Sequence, residues 1–384
     1  MNPPILPGAT IGMVGGGQLG RMFALEARRM GYRLVVLDPG DATPAAQFCD
    51  EHIRAPFEDL DACLHLAEVS DVVTLEWENA DVATLRAMAE RVQIHPSPDV
   101  LEVAQHRVRE KDAARRLGVL TADYRAVRTR EELDAALREV GAPAILKTAR
   151  MGYDGKGQAT IRDASEAGAA WDALSAQGDD FILEARVPFR MEVSVICARS
   201  ARGETACFPV SENKHRRGIL HLTVAPARVS TEIADEARRV ASTLAEGLGV
   251  VGLLAVEMFV DPEGRILMNE IAPRPHNSGH HTWEACAVSQ FEQQLRAVCG
   301  LPLGDPALLR PAAMVNLMGE DAGTGLNRPG VAEALAVPGT ALHLYGKQQA
   351  RAGRKMGHLT VLADTPDQAA QRALQAWERM TEGG

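Results

Sequence analysis

The 384-residue chain is 46% hydrophobic and 24% charged with a formal net charge of -10, the make-up of a soluble globular protein of roughly two or three domains. Its acidic balance argues against nucleic acid, which demands a basic patch. No apolar run reaches membrane-spanning length and no basic-then-apolar leader opens the chain, so a cytoplasmic protein is expected. Six cysteines, at positions 49, 63, 197, 207, 286 and 299, form no C-x-x-C pair and read as small buried hydrophobes, with neither disulfide nor zinc expected.

The first segment alternates strands and helices. A strand over 10–14 leads into a glycine loop and a helix reaching Met30, with Leu19, Met22, Phe23 and Met30 on one face; Gly31 stops it and a strand over 33–38 follows. A further strand over 71–75 ends in Glu76-Trp77-Glu78-Asn79, and His95-Pro96-Ser97-Pro98 reads as a linker closing a first domain, residues 1–99. Gly15-Gly16-Gly17-Gln18-Leu19-Gly20 satisfies G-x-G-x-x-G between strand and helix, with Asp38 where a ribose-binding acid is expected. Taken alone, this spells an NAD-dependent oxidoreductase. The physical content is broader, because glycines let backbone N–H groups approach any anion at a helix N-terminus.

A helix over 100–117 opens a second segment, residues 100–300, with strands over 144–147, 181–184 and 192–197. Lys147 ends an apolar strand and needs an anionic partner there, unless it snorkels from an edge. The loop that follows, Gly152-Tyr153-Asp154-Gly155-Lys156-Gly157-Gln158, is glycine-rich and carries a lysine suited to covering a triphosphate. It is not a Walker A sequence, and a tight surface turn is the plainer alternative.

A hairpin is expected next, with strands over 253–260 and 265–271 flanking the turn Asp261-Pro262-Glu263-Gly264. If Val260 pairs with Arg265, Glu257 faces Met268 and lies diagonal to Glu270 on one face of the sheet. Two acids among apolar neighbours are costly to ionise without a counter-charge. Oxygen ligands only, from Glu257, Glu270 and the Asn269 amide, suit magnesium shared with a nucleotide phosphate better than zinc. Solvated glutamates on an edge strand are the alternative. Pro273-Arg274-Pro275-His276-Asn277-Ser278-Gly279-His280 then offers stiffened Arg, His, Asn and Ser donors beside that pair, a pattern suited to an oxyanion.

The last segment, residues 301–384, carries strands over 312–318, 341–344 and 357–361 and a closing helix over 366–380. Lys347, Arg351, Arg354 and Lys355 stand out in an acidic protein; Arg354 and Lys355 beside Gly353 suit a monophosphate, and a solvated basic face is the alternative.

Four blocks in order, Gly-Gly-Gly-Gln-Leu-Gly-Arg-Met (15–22), Gly-Tyr-Asp-Gly-Lys-Gly-Gln (152–158), Asn-Glu-Ile-Ala-Pro-Arg-Pro-His-Asn-Ser-Gly-His (269–280) and Gly-Arg-Lys-Met-Gly-His (353–358), together resemble the ATP-grasp superfamily. Within it, nearly the whole chain is similar to the N5-carboxyaminoimidazole ribonucleotide synthetases of purine biosynthesis. The resemblance implies an α/β protein of three domains: a Rossmann-like N-terminal domain, a central ATP-grasp domain and a small β-rich C-terminal domain. It implies a ligase joining 5-aminoimidazole ribonucleotide, ATP and bicarbonate through carboxyphosphate, with release of ADP and phosphate.

By the same resemblance, Glu257, Glu270 and Asn269 hold one or two magnesium ions. Arg107, Lys147, Glu184, Ala185, Arg186, Val187, Glu192, His215, Asn269, Glu270 and the loop Gly152, Tyr153, Asp154, Gly155, Lys156, Gly157 and Gln158 bind ATP. Arg274 and His276 hold bicarbonate and carboxyphosphate, with Asn277 and Ser278 orienting them. The first glycine loop faces the ribonucleotide rather than NAD, through Gln18 and Leu19 with Glu76 and Tyr153 nearby, while Lys347, Arg354 and Lys355 hold its 5'-phosphate. A homodimer is implied. Two positions depart from the family pattern: Met151 stands where a second glycine is common, and Trp77 replaces Phe. A formate-using transformylase or a biotin carboxylase-like enzyme is the nearby alternative; an NAD oxidoreductase or a non-catalytic nucleotide-binding subunit lies further off.

Overall fold

The computed structural model describes residues 3–152, 156–320 and 330–382. Five parallel strands form the N-terminal sheet in the spatial order Glu51–Ile53, Arg33–Leu37, Thr10–Val14, Val72–Leu75, Ile94–His95. Thr10–Val14 and Val72–Leu75 are buried along their whole length, as a parallel sheet covered by helices on both faces requires. The helix Gln18–Arg29 buries Leu19, Met22, Phe23 and Ala27, three or four residues apart, and Gly31 at φ +82° lets the chain turn back. Strand order reverses between Thr10–Val14 and Val72–Leu75, so their carboxyl ends, Gly15 and Glu76, open the crevice where such sheets take ligands.

The continuous helix expected over 100–117 is instead two, Pro98–Ala104 and Arg107–Arg116. Tertiary bonds at the junction outweigh helix continuity. Gln105 donates to the carbonyls of Glu78 and Ala80 at 2.9 and 2.7 Å, and the His106 ring meets Asp180 at 2.9 Å. The break puts Arg107 in a first helical turn, aimed inward.

A four-stranded antiparallel sheet follows, in the order Tyr124–Val127, Phe181–Ala185, Ala144–Thr148, Gln158–Ile161. The third sheet has nine strands. Its main path runs Ile266–Ala272, Gly252–Val260, Met191–Arg199, Ser211–Arg216, Ile219–Ala225, Ala312–Met318, Lys355–Leu362, Thr340–Leu344, with Thr205–Cys207 beside Met191–Arg199. The helix Thr231–Gly247 covers it through Ala237, Val240, Ala241 and Leu244. The last three strands of the chain extend this sheet rather than forming one of their own. The helix Pro366–Glu382 gives that end its own core through Ala369, Ala373, Ala376 and Met380.

The hairpin register differs from the expectation. Val260 pairs with Ile266, and an irregularity between Glu257 and Met258 leaves Asn269 as an extra residue, so Glu257 faces Glu270 directly. One position of the shift lies in the turn, which takes in Arg265 through its N–H to Asp261 Oδ1 at 2.8 Å, and the other is a β-bulge, which re-aims side chains by one position. The sheet is also curled. Four strand steps separate Gly252–Val260 from Ala312–Met318, about 19 Å if flat, yet the consecutive residues His276 and Asn277 bond Glu257 on the one and Asn316 on the other.

Among the described residues no helix is long and apolar enough to cross a membrane. The six cysteines are free thiols, and Cys197 stands opposite Cys207 on neighbouring strands.

Candidate active site

The first glycine loop does not leave its amides open for a dinucleotide pyrophosphate. Gly16 N–H donates to Asp38 Oδ2 at 2.8 Å, Gly17 N–H donates to a Glu76 oxygen, and Asp38 Oδ1 accepts from Gly40. A Cβ on Gly17 would stand 2.4 Å from Glu76 Oε1, so the glycine is required for the close approach of this chain's own carboxylate. Asp38, the acid expected on a ribose, is thus committed to the loop itself. Burial pushes the Glu76 carboxyl up to about 7.

Beside this loop lies a cleft of about 590 Å³ lined by Gly15, Gly17, Glu76, Trp77, Lys347 and Arg354, among others. Lys347 reaches across to it from the far end of the chain, donating to Gln18 Oε1 at 2.7 Å and to the Lys355 carbonyl at 2.8 Å. Arg354 donates to the Gln349 carbonyl at 2.8 Å. Leu19, named with Gln18 as a ligand contact, packs its side chain in the core with Phe23 instead. Trp77 stacks on Phe57 with ring centres 5.8 Å apart.

Deeper in, the large and small sheets bring opposite charges together. Lys147 donates to Glu184 Oε2 at 2.8 Å, and Lys111 lies 3.4 Å from Glu184 Oε1. Burial opposes the Glu184 charge, but the two lysines outweigh it and hold this carboxyl at about 2. Arg107 bonds Glu270 Oε2 at 2.9 Å and the Gly152 carbonyl at 3.1 Å, tying the carboxylate pair to the foot of the second glycine loop. Burial also opposes the Glu270 charge, yet Arg107, with Lys147 and Lys111, keeps it below the usual range. Glu257 fares otherwise. Burial, reinforced by Glu270 opposite, pushes it up to about 7.

Asn269 Oδ1 is buried with no hydrogen-bond partner among the described residues, and it sits in the bulge between the two acids' strands. A partnerless amide oxygen beside facing carboxylates fits a hard, oxygen-binding dication such as magnesium. Among the described residues no group of three or more His, Cys, Asp or Glu side chains converges for a metal, so a nucleotide phosphate would have to complete the coordination.

The raised Glu257 carboxyl has a stability consequence. It favours the fold when protonated, and that contribution fades as pH rises from the ordinary 4.5 through about 7. Glu257→Gln is expected to stabilise the ligand-free protein at pH 8 by on the order of 1–3 kcal/mol and to change little at pH 4. Denaturant titrations at the two pH values check this.

The remaining expected positions fall around the same space. Glu192 pairs with His215, which burial would discharge but Glu192 and Glu257 keep more basic than usual. Ala185, Arg186 and Val187 form the link from the small sheet to the large one, with Arg186 N–H donating to Pro143 at 3.0 Å. In the second glycine loop, Gly157 takes φ +67° and accepts from Thr148 N–H at 2.8 Å, Gln158 pairs with Lys147, and Lys156 is exposed. Tyr153, Asp154 and Gly155 lie outside the described residues. Met151 adopts φ +60°, a conformation that favours glycine.

Arg274 ion-pairs with Glu78 at 2.7 Å, and its charge acts on Glu76 on one side while Glu270 acts on it from the other. His276 Nε2 lies 3.1 Å from Glu257 Oε1. Asn277 and Ser278 stand behind it: Asn277 exchanges amide bonds with Asn316 at 3.0 and 2.6 Å, and Ser278 is fully buried against Ser194. Sequence reasoning missed Lys111, Glu110, Glu78 and Asn316. The signal for the first two was present, since Arg107, Glu110 and Lys111 fall three and four residues apart on one helical face that the structure buries.

Comparison with known proteins gives the family. Three family models match in succession: the ribonucleotide synthetase preATP-grasp domain over residues 8–105, the ATP-grasp domain over 112–291 and the phosphoribosylaminoimidazole carboxylase C-terminal domain over 312–372. The N5-carboxyaminoimidazole ribonucleotide synthase of Bacillus subtilis is 43% identical over 373 residues, 97% of this chain and 96% of that one. A crystal structure of the ADP complex of an N5-carboxyaminoimidazole ribonucleotide synthetase superposes with TM-score 0.93 at 46% identity, covering 99% of this chain and 100% of that one. The Aspergillus clavatus enzyme with ADP and 5-aminoimidazole ribonucleotide gives TM-score 0.88 at 33% identity, covering 97% and 99%. With matched identity, coverage and domain order, the chain belongs to the N5-carboxyaminoimidazole ribonucleotide synthase family.

Proposed function

We propose that this chain, an ATP-dependent ligase, carboxylates 5-aminoimidazole ribonucleotide with bicarbonate and the residues described above divide the work. One observation carries the assignment. The cations beside the glycine-loop cleft, Lys347 and Arg354, connect through Glu76 and Arg274 to Glu270 and Glu257, so a phosphorylated acceptor and a nucleotide triphosphate can meet in one charged space.

A bicarbonate oxygen attacks the γ-phosphorus of ATP while the bond to the leaving ADP oxygen breaks, giving carboxyphosphate. Lys147, released from Glu184, and Arg107 neutralise the phosphates. Magnesium held by Glu257, Glu270 and Asn269 would add charge neutralisation when bound. Arg274 orients the small anion, the 276–278 turn holds the Glu257 carboxylate beside it, and the loop at 152–158 excludes water that would hydrolyse it. The exocyclic amine nitrogen then bonds the carboxyl carbon, the carbon–oxygen bond to phosphate breaks, and the amine loses its proton. Gln18 and Glu76 position the ribonucleotide, with its 5'-phosphate at Lys347, Arg354 and Lys355. The acceptor rather than the nucleotide is what separates this reading from a formate-using relative.

The test is ADP release from MgATP and bicarbonate with and without 5-aminoimidazole ribonucleotide. Release that depends on both is expected; release unaffected by the ribonucleotide would remove the acceptor assignment. Lys355→Ala should raise KM for the ribonucleotide at least about tenfold, as loss of a charge-assisted phosphate contact does, and leave KM for ATP within about twofold. The opposite split would place the phosphate site elsewhere.

A further inference from the structure

Behind His276 runs a chain of buried polar side chains from three strands of the large sheet. Thr223 Oγ1 lies 2.9 Å from Asn213 Oδ1, Asn213 Nδ2 lies 2.9 Å from Ser194 Oγ, Ser194 Oγ lies 2.8 Å from Ser278 Oγ, and Ser278 Oγ lies 2.9 Å from His276 Nδ1. Thr223, Asn213, Ser194 and Ser278 are all at most 5% exposed. At the far end, His276 Nε2 meets Glu257 Oε1 at 3.1 Å.

The direction of every proton in this chain follows from one backbone group. The Ser278 N–H points at His276 Nδ1 at 3.3 Å, where the ring caps the turn Asn277–Gly279. A main-chain N–H can only donate, so Nδ1 carries a lone pair and no proton. The Ser278 hydroxyl must then donate to Nδ1 as well. Its oxygen accepts from the Ser194 hydroxyl, whose oxygen accepts from the Asn213 amide, whose carbonyl accepts from Thr223. No amide or hydroxyl orientation is left to choose. The ring proton sits on Nε2 and is donated to the Glu257 carboxylate.

We propose that Thr223, Asn213 and Ser194 are positioning residues that brace the ring of His276, whose tautomer the Ser278 N–H sets as the neutral, Nε2-protonated imidazole, so that it stays a donor to Glu257 rather than a general base. Both ring nitrogens are committed, one as acceptor to Ser278 and one as donor to Glu257, so none is free to remove a proton from bicarbonate or the acceptor amine. The ring's part is to hold one Glu257 oxygen and leave the other directed at Glu270 and the ATP phosphates. Orientation of a ligating carboxylate by a neighbouring donor is worth about 10- to 100-fold in activity. This inference rests on the ligase reading only for what the orientation serves; the tautomer itself is a property of the ligand-free chain.

Two experiments test it on the full-length protein. Long-range proton–nitrogen spectra of histidine-labelled protein, with His276 assigned by its loss in His276→Asn, should show the Nε2-protonated pattern. An Nδ1-protonated or doubly protonated ring at pH 7.5 would overturn the proposal whether or not the enzyme turns over. Ser194→Ala, which cuts the chain at its middle, should lower kcat about tenfold or more and leave KM for the ribonucleotide within about twofold. Ser194→Thr, which keeps the hydroxyl, should recover most of the loss. Should the serine variants fail to fold, Thr223→Val removes the terminal donor while keeping shape; a kcat within about twofold of the parent in that variant would also overturn it.

Discussion

Glu270→Gln is expected to reduce ATP turnover by at least about 10³-fold, equivalent to several kcal/mol of lost phosphate-charge stabilisation, with the fold intact. Glutamine keeps an oxygen for Arg107, which now bonds Glu270 at 2.9 Å, so the local packing survives. What is lost is the more acidic of two facing carboxylates, the one that Arg107, Lys147 and Lys111 hold ionised. Steady-state ADP release with a circular dichroism control checks the prediction. Turnover near the parent rate would remove Glu270 from the metal set and leave Glu257, which prefers its proton below about pH 7, unable to serve alone.

Glu184→Gln is expected to act on the fold instead, destabilising the ligand-free protein by about 3–5 kcal/mol. Glu184 is 3% exposed and stands between Lys111, 1% exposed, and Lys147, 9% exposed. Removing its charge leaves two buried ammonium groups facing one another. The pH dependence has a definite sign. The carboxyl titrates at about 2 in the fold against an ordinary 4.5, so its stabilisation is complete above 4.5 and is lost as pH falls toward 2. The variant should therefore lose most against the parent at pH 7 and converge with it in acid. A loss under about 1 kcal/mol at pH 7 would mean that the lysines do not depend on this carboxylate. A saturating nucleotide, by giving Lys147 phosphate oxygens, should recover part of the loss.

Much of the architecture was legible because hydrophobic patterning and turn residues carry it. The strands Thr10–Val14 and Ala312–Met318 have the bounds that their apolar runs predict, and Gly31 ends its helix as expected. The break at Gln105–His106 was not legible, since the bonds that make it come from Glu78, Ala80 and Asp180, far along the chain. The second half of the hairpin's register shift was lost for a similar reason. The bulge at Asn269 is fixed by outside partners, with Lys111 on its carbonyl at 3.0 Å and Met268 N–H on Leu120 at 2.8 Å, and these leave no trace in the alternation of the strand itself.

The candidate site shows the same division. Residue types at Glu257, Glu270 and Lys147 announced charge in apolar company, and four motifs announced the family. Which partner each charge takes is a tertiary fact. The G-x-G-x-x-G loop illustrates the point most sharply: its amides meet Asp38 and Glu76, not a pyrophosphate, and nothing within the motif's own residues says so.

The curl of the nine-stranded sheet has one more consequence. It makes the sheet a caliper, with Lys355 on one jaw and the facing acids on the other, and the gap between them set by the twist of the intervening strands rather than by any loop. On the reading proposed above, an acceptor would be measured by length: a nucleotide with its phosphate at Lys355 would present its amine at a fixed depth, and a nucleoside without that phosphate would be passed over.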